Sequence, residues 1–292
     1  MPDAPLLASI ELGGTKAVVG IARDPLVPLA RGRFATEAPA ATLGAITTFL
    51  QDASPQGERI AAIGIASFGP LDLATGRINA TPKPGWSQVD LCGHFTEAFG
   101  CPVALDTDVN GAALAEAKLG AGRGLGSLAY VTVGTGIGGG LVIGNRAVHG
   151  LLHPEMGHLR AHRVAGDDYA GCCPYHGGCI EGLASGPAIV ARFGRTLGEL
   201  ARHHPFRQVL AEYLGQLSAA IVLICSPERI VIGGGVMANS ALHGAVAQAM
   251  GRELAGYLPA PEIGAPNFIV PPALGADSGL TGGFLLAHEI WR

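Results

Sequence analysis

The chain has 292 residues, 48% hydrophobic and only 14% charged, which calls for a large buried core, spread over two lobes, rather than a disordered segment. Its 45 glycines follow no three-residue period, so collagen is excluded and many tight turns are implied. A formal net charge of −4 without a run of basic residues argues against a nucleic-acid surface.

The opening residues MPDAPLLASIEL lack a basic n-region and a long apolar h-region, so no signal peptide is expected. Leu7 to Leu12 reads as a strand, Gly13-Gly14 breaks it, and Ala17 to Ala22 resumes, forming a hairpin. A third strand covers Leu29 to Thr36, Ala41 to Leu50 has helical spacing, and Ile60 to Ser67 is a buried strand ending at Phe68-Gly69-Pro70. Val103 to Leu105 is a short strand running into Asp106-Thr107-Asp108, followed by a helix from about Asn110 to Leu119 closed by Gly120.

A second segment starts the same way: Ser127 to Val133 is apolar, Gly134-Thr135-Gly136 breaks it, and Gly139 to Ile143 continues as a strand. A strand, a Gly/Thr turn and a strand at the head of each half fit a duplicated fold; two unrelated hairpins would read the same. Ala211 to Cys225 is helical, Arg229 to Ile232 is a strand, Gly233-Gly234-Gly235 opens another helix, and a last helix covers Gly279 to Trp291. The most apolar run, Leu217 to Cys225, stops at Ser226-Pro227-Glu228-Arg229 and is too short to span a bilayer. Six cysteines without a secretion signal read as metal ligands or buried thiols, and a cytoplasmic chain without membrane or nucleic-acid partner is expected.

Four motifs carry chemistry. Gly13-Gly14-Thr15-Lys16 after a strand offers backbone N–H groups, a hydroxyl and an ammonium to a polyphosphate, although an ordinary hairpin turn has the same look. Gly134, Gly136 and Gly139 satisfy G-x-G-x-x-G, but β-like Leu141-Val142-Ile143 follows instead of a helix, which rejects a dinucleotide fold. Asp108, at a strand-to-helix junction, is either a helix N-cap or a general base, and the roles are compatible. Cys173, His176 and Cys179 form C-x2-H-x2-C, with His158 upstream in Glu155-Met156-Gly157-His158. Two thiolates and two imidazoles suit tetrahedral zinc, with Cys172 the alternative to Cys173. Glu155 and Glu181 are near enough in sequence to line a pocket beside that metal.

Taken in order, these pieces resemble the ROK family of repressors and sugar kinases. The matched stretches are Ile10-Glu11-Leu12-Gly13-Gly14-Thr15-Lys16, Phe68-Gly69-Pro70-Leu71, Thr81-Pro82-Lys83-Pro84-Gly85-Trp86, and Thr107-Asp108-Val109-Asn110-Gly111. Val133-Gly134-Thr135-Gly136, Glu155-Met156-Gly157-His158 and Ile230-Val231-Ile232-Gly233-Gly234-Gly235 complete the series. Thr107, where most members carry Asn, and Cys173-Pro174-Tyr175-His176-Gly177-Gly178-Cys179 resemble the bacterial fructokinase branch.

The resemblance implies an α/β, two-lobed actin-like ATPase fold (RNase-H-like), each lobe a mixed sheet with flanking helices and the active site in the cleft between them. A small lobe over residues 1–112 with the helix of residues 273–292 packed on it, and a large lobe over residues 113–272 carrying the zinc segment, are expected. It further implies a kinase using ATP and Mg²⁺ on the 6-hydroxyl of fructose, with a broader hexose kinase or a sugar-sensing repressor as alternatives. A repressor of this family would carry a DNA-binding domain ahead of the first strand, and a zinc hydrolase would need an open metal position. By the same resemblance Asp108 is the base. Glu11 lies near Mg²⁺, and Gly13, Gly14, Thr15, Lys16, Thr135 and Gly136 cradle phosphates. Gly234 and Gly235 receive the nucleoside; Gly69, Pro70, Asn110, Glu155, His158 and Glu181 hold the sugar. The zinc would be structural, and the working unit a homodimer.

Overall fold

The computed structural model describes residues 4–238 and 241–291. The chain divides into two compact units. One takes the chain up to Ala115, Val148–His153 and the chain from Asp277 on; the other takes Glu116–Ala147 and Pro154–Ala276. The six residues 148–153, read from sequence as part of the second lobe, fold with the first. They do so because His149 and His153 find their polar partners there.

The first unit is built on a five-stranded sheet ordered β3-β2-β1-β4-β7. Its strands are β1 (Leu7–Leu12), β2 (Lys16–Asp24), β3 (Val27–Ala35), β4 (Ala62–Ser67) and β7 (Val103–Thr107). β1 pairs antiparallel with β2 and parallel with β4, and β4 pairs parallel with β7. A small hairpin, β5 (Leu71–Asp72) with β6 (Arg77–Ile78), stands apart from the sheet. Helices α1 (Pro39–Ala53) and α2 (Leu91–Phe99) connect these strands, and α3 (Asp108–Leu119) follows β7 and ends in the second unit. α2 was not legible as a helix; Asp90 caps it by accepting from Gly93 N, and Gly100 ends it in the left-handed conformation. β1 and β4 are almost wholly buried because both sheet faces are covered. One face packs Ile10, Leu12, Ile46, Leu50, Trp86 and Phe95 into the core; the other receives the C-terminal helix through Leu280, Phe284 and Ala287. A Cβ added at Gly64 would lie 1.9 Å from Gly283 O, so this helix can reach the sheet only with glycine on the strand.

The second unit repeats the plan. Its sheet, β10-β9-β8-β11-β12, has the same order and the same sequence of antiparallel and parallel pairings. The strands are β8 (Ser127–Val133), β9 (Ile137–Ile143), β10 (Arg146–Ala147), β11 (Ile230–Gly233) and β12 (Ile269–Val270). Its helices are α4 (Ile180–Ala184), α5 (Gly186–Phe193), α6 (Phe206–Cys225) and α7 (Ala241–Leu254), and α8 (Ser278–Trp291) belongs to the first unit. Matching strand order in both units decides for duplication over two unrelated hairpins.

α6 corrects the sequence reading of its length. At 20 residues it is long and apolar enough to cross a membrane, not too short. More than half of that stretch is buried, Leu210, Tyr213, Leu214, Leu217 and Ile221 among it, and α6 packs on α7 as a core helix. The three glycines from the end of β11 lead not into an α-helix but into a short 3-10 turn, Gly235–Met237, before α7.

Candidate active site

In the first unit the site residues gather at strand ends. The hairpin between β1 and β2 is closed by Gly13 N donating to Lys16 O at 2.9 Å, which leaves Thr15 and Lys16 exposed at its tip. Lys83, from the Thr81–Trp86 stretch, donates to Gly14 O at 2.7 Å and to Thr36 O at 3.0 Å and so braces the turn from behind. Glu11 lies beneath on β1, against Gly279 of α8. Burial pushes its carboxyl pKa upward, opposed by the charges of Lys16 and Arg31. Its Oε2 is buried with no hydrogen-bond partner among the described residues. An orphaned carboxylate oxygen beside a phosphate-type turn fits a hard divalent cation with its waters.

The β7–α3 junction carries Asp108. The helix begins at Asp108 itself: Thr107 Oγ1 accepts from Asn110 N at 3.1 Å and takes the N-cap position, while Asp108 Oδ1 accepts from Val109 N at 2.9 Å in the first turn. Asp108 is half-buried, which suits a base that must meet substrate. Asn110, expected on a sugar hydroxyl, is fully buried; its Nδ2 donates to Asp106 Oδ1 at 2.8 Å, and its Oδ1 is closed off from solvent. As folded, it braces the junction from within. Asp106, read only as part of the Asp106-Thr107-Asp108 strand end, and His149 had no role assigned from sequence, nor had His153, whose Nε2 accepts from Leu71 N at 3.1 Å next to Gly69 and Pro70. One signal was available: a carboxylate at the end of a buried strand must find donors.

In the second unit Gly134-Thr135-Gly136 closes the β8–β9 hairpin, with Gly134 N donating to Gly136 O at 2.9 Å and Thr135 exposed. Glu181, the first acid of α4, accepts from Ile137 N at 2.9 Å, and a Cβ at Gly136 would lie 2.7 Å from its Oε2. Glycine at 136 therefore admits the carboxylate to the turn. After β11, Gly234 has φ +92° and Gly235 meets nothing within 4 Å of an added Cβ, leaving open space at that turn.

His158, Cys173, His176 and Cys179 bring their ligand atoms within 4.8 Å of one another. Cys173 Sγ lies 3.7 Å from both His158 Nδ1 and His176 Nδ1, and Cys179 Sγ lies 3.6 Å from His158 Nδ1. A tetrahedral zinc with bonds of about 2.3 Å to sulfur and about 2.0–2.1 Å to nitrogen sets that edge at about 3.6 Å, so the donor set and its spacing fit the ion. Cys172 is exposed and outside the cluster, which decides for Cys173. The other ring nitrogen of His158 is 4.0 Å from Glu181 Oε1. Glu155, exposed, immediately precedes the 3-10 turn Met156–His158 and accepts at its carbonyl from His158 N at 3.1 Å.

Duplicated sheets, each headed by a Gly/Thr hairpin, define a two-unit α/β protein, with Asp108 at a strand-to-helix junction of the first unit. The chain belongs to the ROK family, whose model matches residues 7–290. It is 45% identical over 294 residues to a fructokinase of Zymomonas mobilis, covering 98% of this chain and 97% of that one. Among solved structures it is similar to a ROK hexokinase from Thermus thermophilus (TM-score 0.79, 32% identity, 98% of each chain covered). It is likewise similar to a ROK glucokinase from Streptomyces griseus in complex with glucose and AMPPNP (TM-score 0.79, 25% identity, 97% and 99% covered).

Proposed function

We propose that this chain transfers the γ-phosphoryl group of ATP to the 6-hydroxyl of fructose. The observation that carries the reading is the full-length likeness to a fructokinase at 45% identity. Asp108 is the base that takes the proton of the attacking hydroxyl. Gly69 and Pro70 of the first unit and Glu155, His158 and Glu181 of the second are the residues we assign to the sugar, and Asn110 braces the Asp108 junction through Asp106. Thr15, Lys16, Thr135 and Gly136, with Gly13 and Gly14, offer donors to the phosphates, and the turn at Gly234 and Gly235, with open space at Gly235, takes the nucleoside.

Glu11 is the residue we assign to Mg²⁺, on the strength of its orphaned Oε2. Bound there, the ion would neutralise charge on the polyphosphate, while the protein's own part is to align donor and acceptor. A structural zinc held by His158, Cys173, His176 and Cys179 would stiffen the segment that presents Glu155 and Glu181. We place the enzyme in the cytoplasm, where thiolate ligands stay reduced. We infer a homodimer, supported by Leu223 and Ile224 standing 57% and 76% exposed at the end of α6.

A coupled ATPase assay across fructose, mannose, glucose and N-acetylated hexoses tests the reading. Fructose should have the highest kcat/KM. A tenfold preference for glucose or mannose would convert the protein to a broader hexose kinase, and sugar binding without turnover would make it a sensor.

A further inference from the structure

Asp106 is a carboxylate buried to 3% exposure, two residues before Asp108. Its Oδ1 accepts from Thr107 N at 2.7 Å and Asn110 Nδ2 at 2.8 Å. The third donor comes from far along the chain: His149 Nε2 lies 3.0 Å from Oδ2 and 3.1 Å from Oδ1. An ionised carboxylate only accepts, so Nε2 carries the proton here. Asn110 Nδ2 lies 3.2 Å from the same nitrogen because both groups donate to one carboxylate. One acid thus ties the junction backbone, the first turn of α3 and the 148–153 segment together. Four residues on, His153 Nε2 plays the opposite part, accepting from Leu71 N at 3.1 Å. The segment is pinned at both ends to the first unit, while Leu151 between the pins is fully exposed.

We propose that His149 is a positioning residue for the phosphoryl transfer, setting the aim of Asp108 by holding Asp106 at the β7–α3 junction; this rests on the sugar-kinase reading above. Burying a carboxylate costs more than burying an apolar side chain, so the network is a poor choice for stability alone. It is a good choice for orientation, since its donors hold the main chain on either side of the base. A displacement of about 1 Å at a reacting group can cost on the order of 100-fold in rate. His149 itself keeps part of its ring in solvent, with 36% of the side chain exposed, so removing it leaves no large void.

The test compares His149→Ala, His149→Gln, Asp106→Asn and the double variant His149→Ala/Asp106→Asn in steady-state kinetics, each referred to its folded fraction. His149→Ala and Asp106→Asn should each lower kcat for fructose by roughly 10- to 100-fold, with KM for ATP within about twofold. His149→Gln, which keeps an N–H near the position of Nε2, should recover most of the loss. Residues acting as one unit should make the double variant no worse than the poorer single one. If Asp106→Asn does not fold, the His149→Ala and His149→Gln pair decides alone. His149→Ala within twofold of wild type, or His149→Gln as impaired as His149→Ala, overturns the proposal while leaving the kinase reading intact. A wild-type chain that phosphorylates no sugar overturns both.

Discussion

His158 faces two partners at once, with Nδ1 3.6 Å from Cys179 Sγ and the opposite ring nitrogen 4.0 Å from Glu181 Oε1. A carboxylate behind a metal-binding imidazole helps to orient its ring. Glu181 also accepts from Ile137 N, so one acid touches both the His158 segment and the β8–β9 turn. Glu181→Gln should therefore weaken zinc binding by about 10- to 100-fold in chelator competition. Unchanged zinc affinity would reduce the contact with His158 to simple proximity.

Elemental analysis of the purified chain should find about one zinc per polypeptide, as four closed N/S ligands require. Cys179→Ala should lose the metal together with sugar phosphorylation, because metal binding at such a site is also local folding. Cys172→Ala, at an exposed thiol outside the cluster, should keep both. Full activity in zinc-free protein would leave the buried thiols as core residues only.

Asp108→Asn should lower kcat by roughly 10²- to 10⁴-fold, the range for a positioned general base. Thr107 keeps its cap and the Asn side chain keeps an Oδ1 acceptor for Val109 N, so the melting temperature should hardly move. A variant retaining more than half of wild-type kcat would end the assignment of Asp108 as base.

Glu155→Gln should act through the sugar. Loss of a charged hydrogen bond costs about 1.5–3 kcal/mol, or roughly 10- to 150-fold in kcat/KM for fructose, with KM for ATP nearly unchanged. An effect confined to ATP would move Glu155 to the nucleotide side.

Asp167 gives a pH-dependent stability. Burial alone would raise its pKa, but hydrogen bonds from Arg192 and Tyr213 and the Arg192 charge bring it below the ordinary aspartate value. Arg192 Nη1 lies 2.6 Å from Oδ1 and Tyr213 donates to Oδ2 at 2.5 Å, in a pair whose side chains are each 7% exposed. A carboxyl with a depressed folded pKa contributes fully above its unfolded value of about 3.9 and loses that contribution as pH falls through the folded one. Asp167→Asn, which leaves Arg192 buried without its counter-charge, should cost about 3–5 kcal/mol at pH 7. In urea unfolding the gap from wild type should close as pH falls below about 4. A gap independent of pH would show that the loss is one of packing alone.

The local and periodic features of this protein were determined by its sequence. Strands such as Leu7–Leu12 and Ser127–Val133, the Gly/Thr turns after them and the Cys173-x2-His176-x2-Cys179 spacing depend on residues a few positions apart, where backbone sterics and side-chain reach decide the outcome. Weakly patterned pieces escaped it: α2 is a nine-residue helix carried by its Asp90 and Gly100 caps, and α6 starts five residues before its apolar run is evident. Only the tertiary structure decided between Cys172 and Cys173, because neighbours in sequence point to opposite sides and one alone reaches His158 and His176. It alone gave the helix cap to Thr107 and the interior to Asn110, since those choices turn on where β7 stops. It alone joined His149 to Asp106 across 43 residues of chain, because a buried charge takes its donors from whatever segment the fold brings within 3 Å, and no spacing along the chain encodes that.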